Sequence, residues 1–162
     1  MRTKFPGILQ IGIVVRNLDH AVARYETLLG WKDWNFNAVD TRAGKGRRFT
    51  SGGAPVEVRA RIAWMAVGTI EIELIEPQDE DSIYAEFIRD RGPGLHHVML
   101  ATEDYAASLA DFEQGGCDVV ARGELQQTRF ALLDTVADLG MLVELADGGP
   151  LEPDNGSGSR SR

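Results

Sequence analysis

Two periods of hydrophobic positions alternate along this chain. Residues 8–15, ILQIGIVV, are apolar and rich in β-branched side chains, and read as a buried strand. The period then lengthens. Ala21, Val22, Tyr25, Leu28 and Leu29 fall on one face of a helix, with Asn17 or Asp19 placed to cap its start and Gly30 its end. The stretch HHVMLATEDYAASLADFEQGGCDVV repeats this order 87 positions later, from 10 to 97. His97 falls on Gln10, Val98 to Leu100 on the Ile11–Ile13 run, Leu109 on Val22, Phe112 on Tyr25 and Glu113 on Glu26. Asp104 supplies the cap and Gly115–Gly116 the stop. Strand, cap, helix and stop recurring in one order mark a duplicated unit.

The duplication continues beyond the helices. VEVRARIAWMAVGTIEIELIEP reads as two strands joined at Gly68–Thr69, and TRFALLDTVADLGMLVELAD as two strands with a longer connection. Each half is therefore a strand, a helix and about three strands. The pattern predicts an α+β fold of two tandem βαβββ modules. It makes residues 1–147 one domain, with module one at about 7–77, a linking helix at about 82–90 and module two at about 94–147. The Gly-rich basic stretch DTRAGKGRRFTSGGAP reads as a loop, and residues 148–162 as a disordered polar tail.

Composition narrows the partners. A formal net charge of −8 argues against nucleic acid and anionic membranes, which favour a basic surface. No apolar run approaches the roughly 20 residues of a membrane span, and no secretory signal is visible at the N-terminus. One cysteine, Cys117, excludes an internal disulfide framework and a cysteine-based zinc site, and fits a reducing cytoplasm.

Four polar residues interrupt the apolar strands that open and close the two halves: Gln10, Glu73, His97 and Glu144. A carboxylate in such a strand is costly to bury unless paired or bound to a cation. With Gly68–Thr69 as the turn, Trp64 pairs with Glu73 and Ala66 with Glu71. Cross-strand partners share a face, so Ile62, Trp64, Ala66, Glu71 and Glu73 line one face, which looks into a cavity or into solvent, while Ala63, Met65, Ile72 and Leu74 face the helices. The repeat puts Glu144 opposite Glu73 and His97 opposite Gln10. Two carboxylates, an amide oxygen and an imidazole suit one divalent ion, Zn, Ni, Co or Mn.

This arrangement, with ELIEP, the linking helix, GLHHVML and LVEL, resembles the vicinal oxygen chelate superfamily, and within it the methylmalonyl-CoA epimerases. The resemblance covers about residues 7–147 and implies a curved mixed sheet around a metal-binding cleft, with metal ligands at Gln10, Glu73, His97 and Glu144. Two departures stand out. The epimerases usually carry histidine where this chain has Gln10, and some carry a catalytic glutamate near Ile62. The Gln, Glu, His, Glu set is similar to that of human-type glyoxalase I, and from that likeness Glu144 is the expected base. Glu71 is a second candidate base from its face alone. The chemistry implied is proton transfer at a carbon next to a carbonyl through a metal-chelated enolate or enediolate, in an epimerase or isomerase acting on a small carbonyl substrate. Rival readings are a glyoxalase I-type lyase, a cyclitol-ketone epimerase and a drug-sequestering protein of the bleomycin-resistance kind. A homodimer is the family habit. The remaining candidates have plainer readings. His96 alternates to the opposite face and is structural, His20 is solvated, and Trp31 and Trp34 pack at the core or rim. Arg42, Lys45, Arg47 and Arg48 form a solvated basic patch.

Overall fold

The computed structural model describes residues 5–43 and 48–154. Strand β1 (Ile8–Val14) leads to helix α1 (Leu18–Leu29), capped by the Asn17 side chain, which accepts from the His20 N–H, and closed by Gly30 at φ 74°. Strand β2 (Asn35–Asp40), the short β3 (Arg48–Ser51) and β4 (Ala54–Pro55), then β5 (Arg59–Val67) and β6 (Ile70–Pro77) complete the first module. Helix α2 (Ile83–Arg91) links it to the second: β7 (Gly94–Leu100), α3 (Tyr105–Gln114, capped by Asp104), β8 (Val119–Leu125), β9 (Thr128–Leu133), the one-turn α4 (Val136–Leu139) and β10 (Leu142–Asp147). Among the described residues the strands form one curled mixed sheet in the order β2-β5-β6-β1-β7-β10-β9-β8-β3-β4. No helix among them is long and apolar enough to cross a membrane.

The modules meet where β1 and β7 run antiparallel at the centre of the sheet, and the register is symmetric. Gln10 pairs with Met99 and Gly12 with His97, the relation that a twofold axis and an 87-residue repeat demand of each other. Gln10 lies beside Glu71 across β1–β6, as His97 lies beside Leu142 across β7–β10. The β5–β6 hairpin has the register read from its turn: Val67 with Ile70, Ala66 with Glu71, Trp64 with Glu73. Gly68 supplies the positive φ, 63°, that the first position of such a turn needs.

Three apolar clusters hold the layers. Ala63, Met65, Ile72 and Leu74 pack on Leu18 and Val22 of α1, the helix-facing set expected from the hairpin. Leu109 of α3 packs on Ala131, Leu133, Val143 and Leu145. Leu74 and Leu145, both fully buried, are matched anchors of the two halves, each worth about 1.5–3 kcal/mol. The third cluster lines the concave face, where Ile62, Trp64 and Ile75 meet Phe49, Phe130 and Leu132.

Two expectations are corrected. The Gly-rich stretch is not simply a loop. Its described part contains β3 and β4, turned at Gly52–Gly53, and β3 pairs antiparallel with β8 of the other module. Covering the β8 edge satisfies a row of otherwise open backbone groups. Nor are residues 148–154 disordered. They run from β10 across to β2, where the Asn37 side chain donates to the Glu152 carbonyl (3.1 Å) and the Asp154 N–H to the Phe36 carbonyl (3.1 Å). Gln126 in the β8–β9 turn both donates to and accepts from the Glu152 backbone. The tail beyond Asp154 lies outside the described residues.

Gly123 gives a clean test of packing on the concave face. A Cβ there would fall 2.1 Å from the Phe130 ring, whereas one at Gly7 meets nothing within 4 Å. Gly123→Ala is expected to cost about 1–3 kcal/mol in chemical denaturation, with Gly7→Ala close to neutral.

Candidate active site

Each module carries one β-bulge at the central seam. The register shifts at Leu9 in β1 and at His96 in β7, positions that the repeat superposes. A bulge adds a residue to one strand and re-aims its side chains. In β1 it brings both Leu9 and Gln10 to the wall of a cavity of about 320 Å³. In β7 it buries both His96 and His97. The expected alternation of His96 to the opposite face is therefore corrected: its Nδ1 lies 3.0 Å from the Nδ1 of His97. Tyr84 and Phe87 of α2 hold the other sides of the His96 ring, with centroids 5.0 and 5.1 Å away. One imidazole of this pair donates to the other, which orients His97 so that Nε2 points to the cleft floor.

The four polar residues converge there. His97 Nε2 stands 3.2 Å from Glu144 Oε2, 3.7 Å from Glu73 Oε2 and 3.4 Å from Gln10 Oε1. The Gln10 amide is fixed from its other end, where Nε2 donates to Glu71 Oε1 at 2.6 Å. Gly12 makes room for this arrangement. A Cβ on it would fall 2.1 Å from the His97 ring.

Burial dominates the electrostatics. It pushes Glu73 up to about 8, helped by the Glu71 charge, and lifts Glu144 well above the carboxylate range, helped by Glu73. Glu71 is raised by burial, and the hydrogen bond from Gln10 partly offsets this. His97 is depressed well below the usual imidazole range by burial and by His96, which burial itself depresses to about 4. Two acids and two imidazoles thus share a floor on which every charged form is disfavoured. Tyr84, on the cavity wall, stays a neutral phenol, its pKa raised by burial and by both glutamates.

Among the described residues no three His, Cys, Asp or Glu side chains stand as a ready-made metal cage; these side chains engage one another instead. The donor set nonetheless fits a divalent ion on two counts. Ligands held about 2.0–2.2 Å from a common ion lie roughly 3–4 Å apart, and the three oxygens stand 3.2–3.7 Å from the imidazole nitrogen. Two buried carboxylates without a cation beside them also supply the charge that such an ion requires.

Ile62 and Trp64 line the cavity, as does Glu71. Trp34 and Trp31 pack instead with Tyr25 on the helix side. The basic stretch provides no patch among the described residues: Arg42 is paired with Asp40 and Arg48 with Glu124, while Lys45 and Arg47 lie outside them. Several contributors escaped the sequence reading. Phe49 comes from β3, His96 from the bulge, and residues 148–151 from beyond β10. The Gly52–Gly53 pair and the lone apolar Leu151 were the available signals.

Two outcomes follow from this geometry. Gly12→Ala should displace His97 and weaken divalent-metal binding in calorimetric titration, while Gly94→Ala, with open space at its Cβ, should not. Above about pH 7.5, where the histidines of the unfolded chain are largely neutral, a Glu73 carboxyl titrating near 8 keeps a proton that the unfolded chain has lost. Folding takes up that proton, so stability of the metal-free protein should fall between about pH 7.5 and 9. Urea denaturation at both pH values reads this, and saturating zinc should remove the slope.

Comparison with known proteins accords with this architecture. The glyoxalase/bleomycin resistance protein/dioxygenase superfamily profile matches residues 9–131. The uncharacterized protein YqjC of Bacillus subtilis is 26% identical over 140 residues, 85% of this chain and 89% of that protein. Methylmalonyl-CoA epimerase from Mycobacterium tuberculosis superposes with a TM-score of 0.61 at 22% identity, covering 93% of each chain. A Streptomyces coelicolor methylmalonyl-CoA epimerase variant in complex with 2-nitronate-propionyl-CoA gives 0.62 at 24% identity, over 88% of this chain and 97% of that one. With the paired modules, the symmetric seam and a profile match over most of its length, this chain belongs to the glyoxalase/bleomycin resistance protein/dioxygenase superfamily.

Proposed function

We propose that this protein is a metal-dependent epimerase or isomerase that moves a proton at a carbon next to a carbonyl, as its methylmalonyl-CoA epimerase neighbours do. The observation that carries this reading is the meeting of Gln10, Glu73, His97 and Glu144 at the floor of an apolar cavity, with Glu71 beside them. A divalent ion held by those four residues, Zn, Ni, Co or Mn, would polarise the substrate's carbonyl oxygen.

The side chains divide the remaining work. Glu144 takes the α-proton. It stands at the cleft floor, 3.2 Å from His97 Nε2, beside the position the ion would occupy. Glu71 faces the same space from β6 and is the second proton carrier, able to return a proton to the other face of the carbon. Gln10 positions Glu71 through its amide N–H. His96 orients His97 through the Nδ1 contact. The apolar walls exclude water, which strengthens each of these interactions.

Deuterium incorporation from solvent at the α-carbon tests the reading, with methylmalonyl-CoA and 2-hydroxypropiophenone as probes. Zinc-loaded protein should exchange at least one of them. Glu144→Gln should lower that rate about 10²–10⁴-fold with metal retained, and Glu71→Gln should slow delivery to one face selectively. His97→Ala should lose the metal, and His96→Ala should weaken it about 10–100-fold. Stoichiometric metal with no exchange of either probe would favour a sequestering role. Full exchange by Glu144→Gln would assign the base elsewhere.

A further inference from the structure

The cavity's walls and closure bear on what it admits. Its volume, about 320 Å³, lies at the small end of ligand sites, which span roughly 300–1,000 Å³. Val39, Phe49, Val58, Ile62, Trp64 and Phe130 supply an apolar wall. The charged lining is acidic: Glu71, Glu73, Glu144 and Asp147. Among the described residues no lysine or arginine lines the cavity. Two arginines on the neighbouring strands are engaged elsewhere. Arg129 is held by Asp147 at 2.6 Å, and Arg61 by Asp19 and Glu76 at 2.8 and 3.1 Å. A pyrophosphate is held by cationic side chains or by a row of backbone N–H groups, and the described lining offers no cationic side chain.

Closure comes from the segment after β10. Gly148 and Gly149 leave the strand so close to the β8–β9 turn that a Cβ would fall 2.1 Å from the Gln127 carbonyl oxygen or 2.6 Å from its side chain. The chain then places Pro150 and Leu151 on the cavity and fastens to β2 through Asn37, Phe36 and Ala38. This strap joins the outer margins of the two modules across the cleft, so the space above the acidic floor is bounded rather than open-ended.

We infer that the substrate is a compact carbonyl compound with an apolar ring or branched alkyl body and adjacent oxygens, carrying no nucleotide handle, and that the 148–154 strap enforces this choice. The inference rests on the proposed proton transfer only in setting the oxygens against the glutamate floor. The apolar body lies between Trp64 and Phe130, and Pro150 and Leu151 of the strap bound the space beside it.

Binding tests it without turnover. Quenching of tryptophan fluorescence in the full-length protein, zinc-loaded and metal-free, should give 2-hydroxypropiophenone a Kd at least about tenfold below that of methylmalonyl-CoA. Leu9→Asp, at the half-exposed cavity edge, should weaken the ketone about tenfold without moving the unfolding midpoint. The double variant Asn37→Ala, Asp154→Ala, which unties the strap from β2, should narrow the preference between the two ligands. Equal or tighter binding of methylmalonyl-CoA by the unaltered protein would overturn the inference, as would a preference that survives both variants. Ketone binding without proton exchange keeps this inference and removes the proposed reaction. Efficient exchange of methylmalonyl-CoA does the reverse.

Discussion

The structure turns on the burial of carboxylates at the seam of a duplicated sheet. Glu73 and Glu144 enter the floor of an apolar cleft from equivalent strands, and among the described residues neither has a basic side chain as partner there other than an imidazole that burial itself keeps neutral. Such an arrangement is costly unless the acids are protonated or share a cation. Folding could have avoided the cost by placing apolar residues at both positions. Retaining the acids concentrates chemistry at one point, and the rest of the fold serves to hold that point still.

Duplication explains how four side chains reach it. Each module alone provides one residue from its first strand and one from its last, Gln10 with Glu73 and His97 with Glu144. Only antiparallel pairing of β1 and β7 brings the sets together. The paired bulges at Leu9 and His96 then break the symmetry in a useful way. One turns a leucine toward the ligand space, and the other turns a histidine against the back of His97. Glu71 and Leu142 differ likewise. They occupy equivalent places beside Gln10 and His97, so only module one adds an extra carboxylate to the floor. Gly12 belongs to the same design, since its missing side chain is the space that His97 fills.

Much of this was legible in the sequence because its signals are local. The Gly68–Thr69 turn sets the β5–β6 register, and that register alone separates Glu71 and Glu73 from Ile72 and Leu74. Helix caps at Asn17 and Asp104 and the repeat linking Gln10 to His97 carry the two-module plan. What escaped depends on partners distant in the chain. Strand β3 is four residues long, and it exists because β8, from the other module, offers an open edge. The strap is Gly- and Pro-rich, which reads as disorder, yet its backbone is fastened by Asn37 and Gln126 from two different modules. The bulge at His96 defeats an alternation rule that holds for regular strands.

These closing elements distinguish this chain's cleft from an open trough. Phe49 of β3 and Leu151 of the strap meet the same apolar cluster from opposite modules, so the concave face is shared rather than divided. The central claim remains the convergence at its floor. Anomalous diffraction at the zinc edge from crystals of the loaded protein tests it most directly. The account predicts one ion about 2.0–2.3 Å from Gln10 Oε1, Glu73 Oε2, His97 Nε2 and Glu144 Oε2. An ion bound elsewhere, or none at full zinc saturation, would contradict it.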